Sequence, residues 1–161
     1  FRGDTVPPAE DIVRLLALTD PKQVVLNDDE QSVYLTQAGM EIDLGAIAKG
    51  YIADRVRDYL RKEGVVQGLI NLAGTPEGGW SIGLKKPFST SGSMIGTLEI
   101  AHKSVVTSGV YERFFEHNGQ IYHHILDPRT GYPLNNELDS VTIVSENSID
   151  GDIWTTLMHG R

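Results

Sequence analysis

Apolar and polar positions divide the chain into short elements of two kinds. Pro7 and Pro8, followed by Glu10 and Asp11, open a helix with Ile12, Leu15 and Leu16 on one face, since Pro is tolerated in a first turn and acids favour that end. The pattern stops near Thr19, Asp20 and Pro21. Val24, Val25 and Leu26, then a polar stretch at 27–30, then Val33, Tyr34 and Leu35 read as strand, turn and strand. Residues 40–44 predict another short strand. From residue 46 the period changes: Ala48, Tyr51, Ile52, Val56, Tyr59 and Leu60 recur at helical spacing, with Lys49, Asp54, Arg57, Asp58 and Arg61 opposite. Gly64 ends that helix.

Further on, residues 65–72 predict a buried strand running into a Gly-dense loop at 73–79, and 80–84 predict the strand after it. More strands are expected at 94–100, 104–107, 120–126 and 141–144, and 152–158 read as the first turns of a last helix. Helices and strands do not alternate strictly. The pattern therefore predicts an α+β fold with a mixed or antiparallel sheet and packed helices rather than a doubly wound parallel sheet.

With 161 residues, 40% hydrophobic and 22% charged, the chain is expected to form one globular domain over 1–161. Lys and Arg number 14 against 22 Asp and Glu, so the net charge of -8 disfavours nucleic acid as a partner. A local site for a phosphate compound, built from backbone amides or a bridging cation, remains compatible with that field. The absence of cysteine removes disulfides, thiolate catalysis and zinc ribbons. No apolar run is long enough for a membrane helix. The chain starts at Phe1 with no signal pattern ahead of its first helix, and is expected to be a piece of a longer protein.

Four clusters could carry chemistry. Residues 43–51, DLGAIAKGY, hand a strand to a helix through a small-residue turn, which can aim backbone amides, a carbonyl and Lys49 at an anion or at a cation beside it. The competing reading is a plain helix N-cap by Asp43, with Gly45 for tight packing. Residues 71–75, NLAGT, are a weaker case of the same kind. Thr107, Ser108 and Gly109, with Tyr111 and Arg113, precede a segment at 123–133 that packs His123, His124, Asp127 and Arg129 between Pro and Gly. A turn explains Pro128 and Gly131 there, but not the His and Arg beside them. Alternation puts one of the two His rings inward and the other out. In the fourth cluster, DGDIWTT at 150–156, Asp152 and Thr156 stand one helical turn apart, where a carboxylate and a hydroxyl can share a hard cation. The competing reading is that Asp152 caps a helix.

In this order the clusters resemble the ApbE family, flavin transferases that move FMN from FAD to a Thr of a target protein, some members of which hydrolyse FAD. The resemblance spans roughly 6–158 and rests on DLGAIAKGY at 43–51, TSG at 107–109 and HILDPRTG at 124–131. It implies that Asp43 and Lys49 contact FAD, that Ile125 lines the flavin site, and that Thr107, Ser108, Gly109 and Arg129 belong to the cofactor-binding set. It implies that the Ala46 carbonyl, Asp152 and Thr156 hold magnesium or calcium. His124 is then expected to accept the proton of the attacking Thr hydroxyl, with Asp127 orienting it, as AMP leaves.

The same resemblance implies a partner flavoprotein bearing the acceptor Thr, and export with a lipid anchor upstream of Phe1, so that the full-length protein is extracytoplasmic and membrane-anchored. Family members extend before the position of Phe1 and somewhat beyond Arg161, so weak or absent activity is expected of this chain alone. Thr155 stands where many members carry a further acid, and the loss of that charge predicts weaker metal binding. FAD hydrolysis to FMN and AMP at the same site, and a non-catalytic flavin- or nucleotide-binding module, are the alternatives.

Overall fold

The computed structural model describes residues 5–66, 68–70 and 81–160. The chain divides into two compact units, Phe1–Asp43 with Arg113–Asn135, and Leu44–Glu112 with Asn136–Arg161.

In the first unit, helix α1 (Ala9–Leu16) starts behind Pro8, whose extended backbone serves as its N-cap. A 3₁₀ turn at Pro21–Gln23 leads into the hairpin of β1 (Val24–Asn27) and β2 (Ser32–Leu35), paired antiparallel as the sequence predicts. Asn27 closes its turn by accepting the Glu30 N–H on Oδ1. A second hairpin joins β6 (Phe114–His117) to β7 (Gln120–His123). Asn118 and Gly119 are its two turn residues, and their φ values of 52° and 76° are those of a type I′ turn.

The second unit holds α2 (Ala48–Lys62), the antiparallel pair β3 (Ser81–Lys85) and β4 (Met94–Glu99), the antiparallel pair β5 (Ser104–Gly109) and β8 (Ser140–Ser145), and α3 (Ser148–His159). Helix α2 ends in a Schellman motif: Gly64 takes φ +83°, its N–H donates to Arg61 O, and Val65 N–H donates to Leu60 O. Helix α3 lies on the β5–β8 pair and against α2. Gly151 makes the first contact possible, because a Cβ there would stand 2.5 Å from Val106 Cγ2. Gly50 does the same for the second, with a Cβ position 2.5 Å from the Ser148 carbonyl oxygen. Within this packing Thr155 and His159 are fully buried, and Val110 is the buried hydrophobic residue among those described.

All strand pairs among the described residues are antiparallel, in keeping with the expected α+β class. Several sequence expectations need correction. No strand forms at 40–44 or at 65–66 and 68–70, and Val66, expected in a buried strand, is 90% exposed. The remainder of that strand, the loop at 73–79 and Trp80 lie outside the described residues. Helix α3 begins four residues earlier than expected. Strand β6 was not anticipated at all. Helix α2 also packs by the opposite face: Gly50 and Asp54 are buried, while Tyr51, Ile52, Val56 and Tyr59 are exposed. A side-chain-free Gly50 lets the α3 backbone come close enough to hydrogen-bond, and this contact sets the inward face. No described helix is long and apolar enough to cross a membrane.

Candidate functional site

The helix pair of the second unit is joined by an exchange of carboxylates. Asp54, one turn after Gly50 on α2, accepts the first two amides of α3 on its separate oxygens: Ser148 N–H at 2.8 Å and Ile149 N–H at 3.0 Å. Asp152, one turn after Ser148 on α3, accepts the Gly50 N–H of α2 on Oδ2 at 2.6 Å. Each helix thus supplies an acid that binds amides otherwise orphaned in the other's first turn. Neither helix has a side-chain cap of its own, since Ile47 and Asn147 occupy the N-cap positions without accepting a first-turn amide.

The two acids differ in how their charge is met. Arg57 donates to Asp54 Oδ1 at 3.1 Å and continues to the Glu146 carbonyl, also at 3.1 Å, and to Asn147 Oδ1, just ahead of α3. Asp152 is only 5% exposed and has no ion pair with any described basic residue. A buried carboxylate with one amide donor has unmet capacity for positive charge. Beside this arrangement, the turn at 45–47 feeds α2, and Leu44 O accepts both Ile47 N–H and Ala48 N–H. Gly50 N–H, which would bond Ala46 O in a continued helix, goes to Asp152 instead, and no described backbone N–H donates to Ala46 O. Thr156 donates its hydroxyl proton to Asp152 O at 3.0 Å, and its oxygen keeps its capacity to accept or ligate. The Asp152 carboxylate, the Ala46 carbonyl and the Thr156 hydroxyl are all hard oxygen donors, a chemistry that suits magnesium or calcium and not a soft metal. The residues present therefore fit the cation that the family resemblance implies. Lys49 and Asp152 both line an open cleft of the second unit, with Lys85 and Lys103 also on its wall.

The TSG segment is bound into this unit. Thr107 and Thr142 hydroxyls meet at 2.8 Å across β5 and β8. Ser108 donates its hydroxyl to Thr155 Oγ1 at 2.9 Å, and its carbonyl lies 3.2 Å from His159 Nε2, which must therefore be the protonated nitrogen. Thr155 hands its own proton to Asp152 O. Thr155 thus ties β5 to α3. A Cβ on Gly109 would meet the Tyr111 ring at 2.5 Å, and burial, reinforced by Glu112, pushes the Tyr111 hydroxyl above its ordinary pKa.

In the first unit the adjacent histidines divide as alternation predicts. His123 is buried, its Nε2 donating to Leu134 O at 2.9 Å and its Nδ1 accepting from Ile125 N–H. His124 is half-buried, and its Nδ1 lies 3.2 Å from Arg113 O, a contact that requires the proton on Nδ1 and leaves the lone pair on Nε2. Asp127 was expected to orient His124. Instead it is engaged by Arg129, through Nε to Oδ1 and Nη2 to Oδ2, both at 2.9 Å, and through the Arg129 amide. The group on the His124 ring is the Arg113 carbonyl, which sequence reasoning missed because a carbonyl carries no residue signature. The segment closes through Gly131 N–H to Asp127 O, with Gly131 at φ +73°. Ile125 is half-buried and Asp43 is exposed just ahead of the 45–47 turn.

The Arg129 side chain and amide hold the Asp127 carboxyl below its ordinary value of 3.8, and Asp127 raises the Arg129 guanidinium in return. A depressed carboxyl pKa contributes stability that is present above the unfolded value and is lost as pH falls through the folded one. A carboxyl-carbon NMR titration should therefore give Asp127 a midpoint below 3.8, and Arg129→Ala should return that midpoint to the ordinary range. A midpoint unmoved by Arg129→Ala would show that the pair does not exist in solution.

Comparison with known proteins gives a consistent picture. Residues 1–160 match the ApbE family. A Klebsiella pneumoniae protein named FAD:protein FMN transferase is 62% identical over 162 residues, which cover 99% of this chain and 51% of that protein. A Treponema pallidum protein of the same name is 36% identical, covering 97% of this chain and 49% of its own length. Among solved structures, the ApbE protein of Thermotoga maritima matches with a TM-score of 0.79 at 36% identity, covering 97% of this chain and 52% of that one. The chain spans about half the length of the curated relatives it matches.

Proposed function

The chain belongs to the ApbE family, and from that premise we propose that it is part of an FAD:protein FMN transferase, in which a Thr hydroxyl of a target protein attacks the FAD phosphorus next to riboflavin. The phosphorus–oxygen bond to the AMP half breaks, AMP leaves, and FMN stays on the Thr oxygen. The observation that carries this reading is the 62% identity, over nearly the whole chain, to a protein named for that activity. The fit of the donor set in the second unit supports it further.

In this proposal Asp152, Thr156 and the Ala46 carbonyl would hold a magnesium ion, which would neutralise the pyrophosphate charge when bound. Lys49, exposed in the first turn of α2 and without an ion pair among the described residues, adds positive charge for the same phosphates. His124 takes the Thr hydroxyl proton on Nε2, the nitrogen that its Arg113 contact leaves unprotonated. Asp127 and Arg129 stiffen the segment following His124 rather than touch its ring. Asp43, Ile125, Thr107, Ser108 and Gly109 stay in the proposed cofactor-binding set, the last three through the scaffold that they tie together.

Titration of FAD into the full-length protein in magnesium and in EDTA, followed by incubation with a Thr-containing acceptor, tests the proposal. Magnesium-dependent binding is expected, with flavin on the acceptor and AMP released mole for mole. Free FMN and AMP with an unmodified acceptor would overturn transfer in favour of hydrolysis. Bound but intact FAD would overturn catalysis altogether.

A further inference from the structure

Residues 50 and 54 on α2 face residues 148 and 152 on α3 in the same order. Each pair puts a small residue one turn ahead of an Asp, and each Asp binds the amide of the other helix's small residue. The arrangement is symmetric in its hydrogen bonds and asymmetric in its charge. Asp54 has two amides and Arg57; Asp152 has one amide. We propose that Asp54 is the positioning residue of the cation site: it fixes α3 against α2 so that Asp152 keeps one oxygen on Gly50 N–H and the other available to a divalent cation. The inference rests on the proposed cation role of Asp152.

Three observations carry it. Asp54 is 6% exposed and its carboxylate bonds Arg57 and the Ser148 and Ile149 amides rather than the Ala46 turn or Thr156, so its effect passes through α3. Its two amide bonds use both carboxylate oxygens on successive residues, which restrains the rotation of α3 about its own axis as well as its distance from α2. Arg57 holds the strand-to-helix turn ahead of α3 through Glu146 O and Asn147 Oδ1 while neutralising Asp54, so Asp54 does not compete with Asp152 for the cation. Without Asp54, α3 would keep its packing on β5 through Gly151, Thr155 and His159 but would lose its register on Gly50.

Manganese binding followed by electron paramagnetic resonance, with the metal alone as probe, tests this in the unaltered protein and in Asp152→Ala, Asp54→Ala, Asp54→Asn and Val110→Ala. Asp54→Ala should raise the manganese dissociation constant about tenfold, in the range seen when a group orienting a metal ligand is removed. Asp54→Asn, which keeps one acceptor oxygen, should lose less. Val110→Ala removes a buried side chain away from the helix exchange and should lower the melting temperature with the dissociation constant unchanged. If Asp152→Ala abolishes binding while both Asp54 variants, folded, bind as the unaltered protein does, the positioning role is overturned and the cation site stands. If the unaltered protein binds no manganese, or Asp152→Ala binds it equally well, the cation site itself is overturned and the inference falls with it.

Discussion

Gly50→Ala should destabilise the second unit by about 2 kcal/mol, although Ala is the better helix former by about 1 kcal/mol. The added methyl would lie 2.5 Å from Ser148 O and 2.7 Å from Ile149 Cα, backbone atoms that can yield only if α3 moves as a body. Overpacking of this kind costs about 1–3 kcal/mol. Displacing α3 also weakens three hydrogen bonds to buried carboxylates, each worth about 1.5–3 kcal/mol when a charged group takes part. The sum exceeds the propensity gain even if the bonds only lengthen. Thermal unfolding should show a midpoint about 4–8 °C lower, at roughly 2–4 °C per kcal/mol for a chain of this size. An unchanged or higher midpoint would mean that the helices do not approach as closely in solution.

The second large effect concerns His124. In the full-length protein, His124→Ala should lower the rate of the proposed FMN transfer by roughly 10²- to 10⁴-fold, the usual contribution of a positioned general base. FAD affinity should change little. That separation matters, because a binding module without catalysis would also keep its affinity but would have no rate to lose. Replacing the buried neighbour instead should have a different signature. His123 bonds Leu134 O and Ile125 N–H, so His123→Ala should lower stability first, and activity only as far as the folded population falls. Single-turnover transfer measured beside thermal unfolding distinguishes the two. A rate loss in His124→Ala below tenfold would remove its assignment as base.

Much of the first unit is legible in the sequence because its signals are local. The polar run at 27–30 between β-branched residues specifies the β1–β2 hairpin, and Pro8 with Glu10 and Asp11 marks the start of α1. The β6–β7 hairpin carries an equally local signal, Asn118 followed by Gly119. The overread strands at 40–44 and 65–66 fail for another reason: an apolar run predicts a strand only if something covers it, and Leu44 and Val66 are exposed. The candidate site divides similarly. Asp152 stands out by its spacing to Thr156, although the helix that it caps is α2 and not its own. Asp54, read as part of a solvated face, acquires its role only from a helix start 94 residues further along the chain. The signal that could have found it is the repeated pattern of a small residue with Asp four positions later, at Gly50 and Asp54 and at Ser148 and Asp152.

The carboxylate exchange also governs the order in which this unit can be built. The bonds close over sequence separations of 94 and 102 residues, so the Gly50 amide of α2 and the Ser148 amide of α3 lack these partners while the other helix is unformed. Helices with local caps can flicker into existence singly during folding; these two lack that help, and each nucleates at the full cost of an uncapped first turn. Their stability is therefore shared and arrives late, after the loop entropy of the intervening chain has been spent. The β5–β8 pairing, which spans fewer residues and brings Ser108 under α3, is the natural platform on which that meeting takes place.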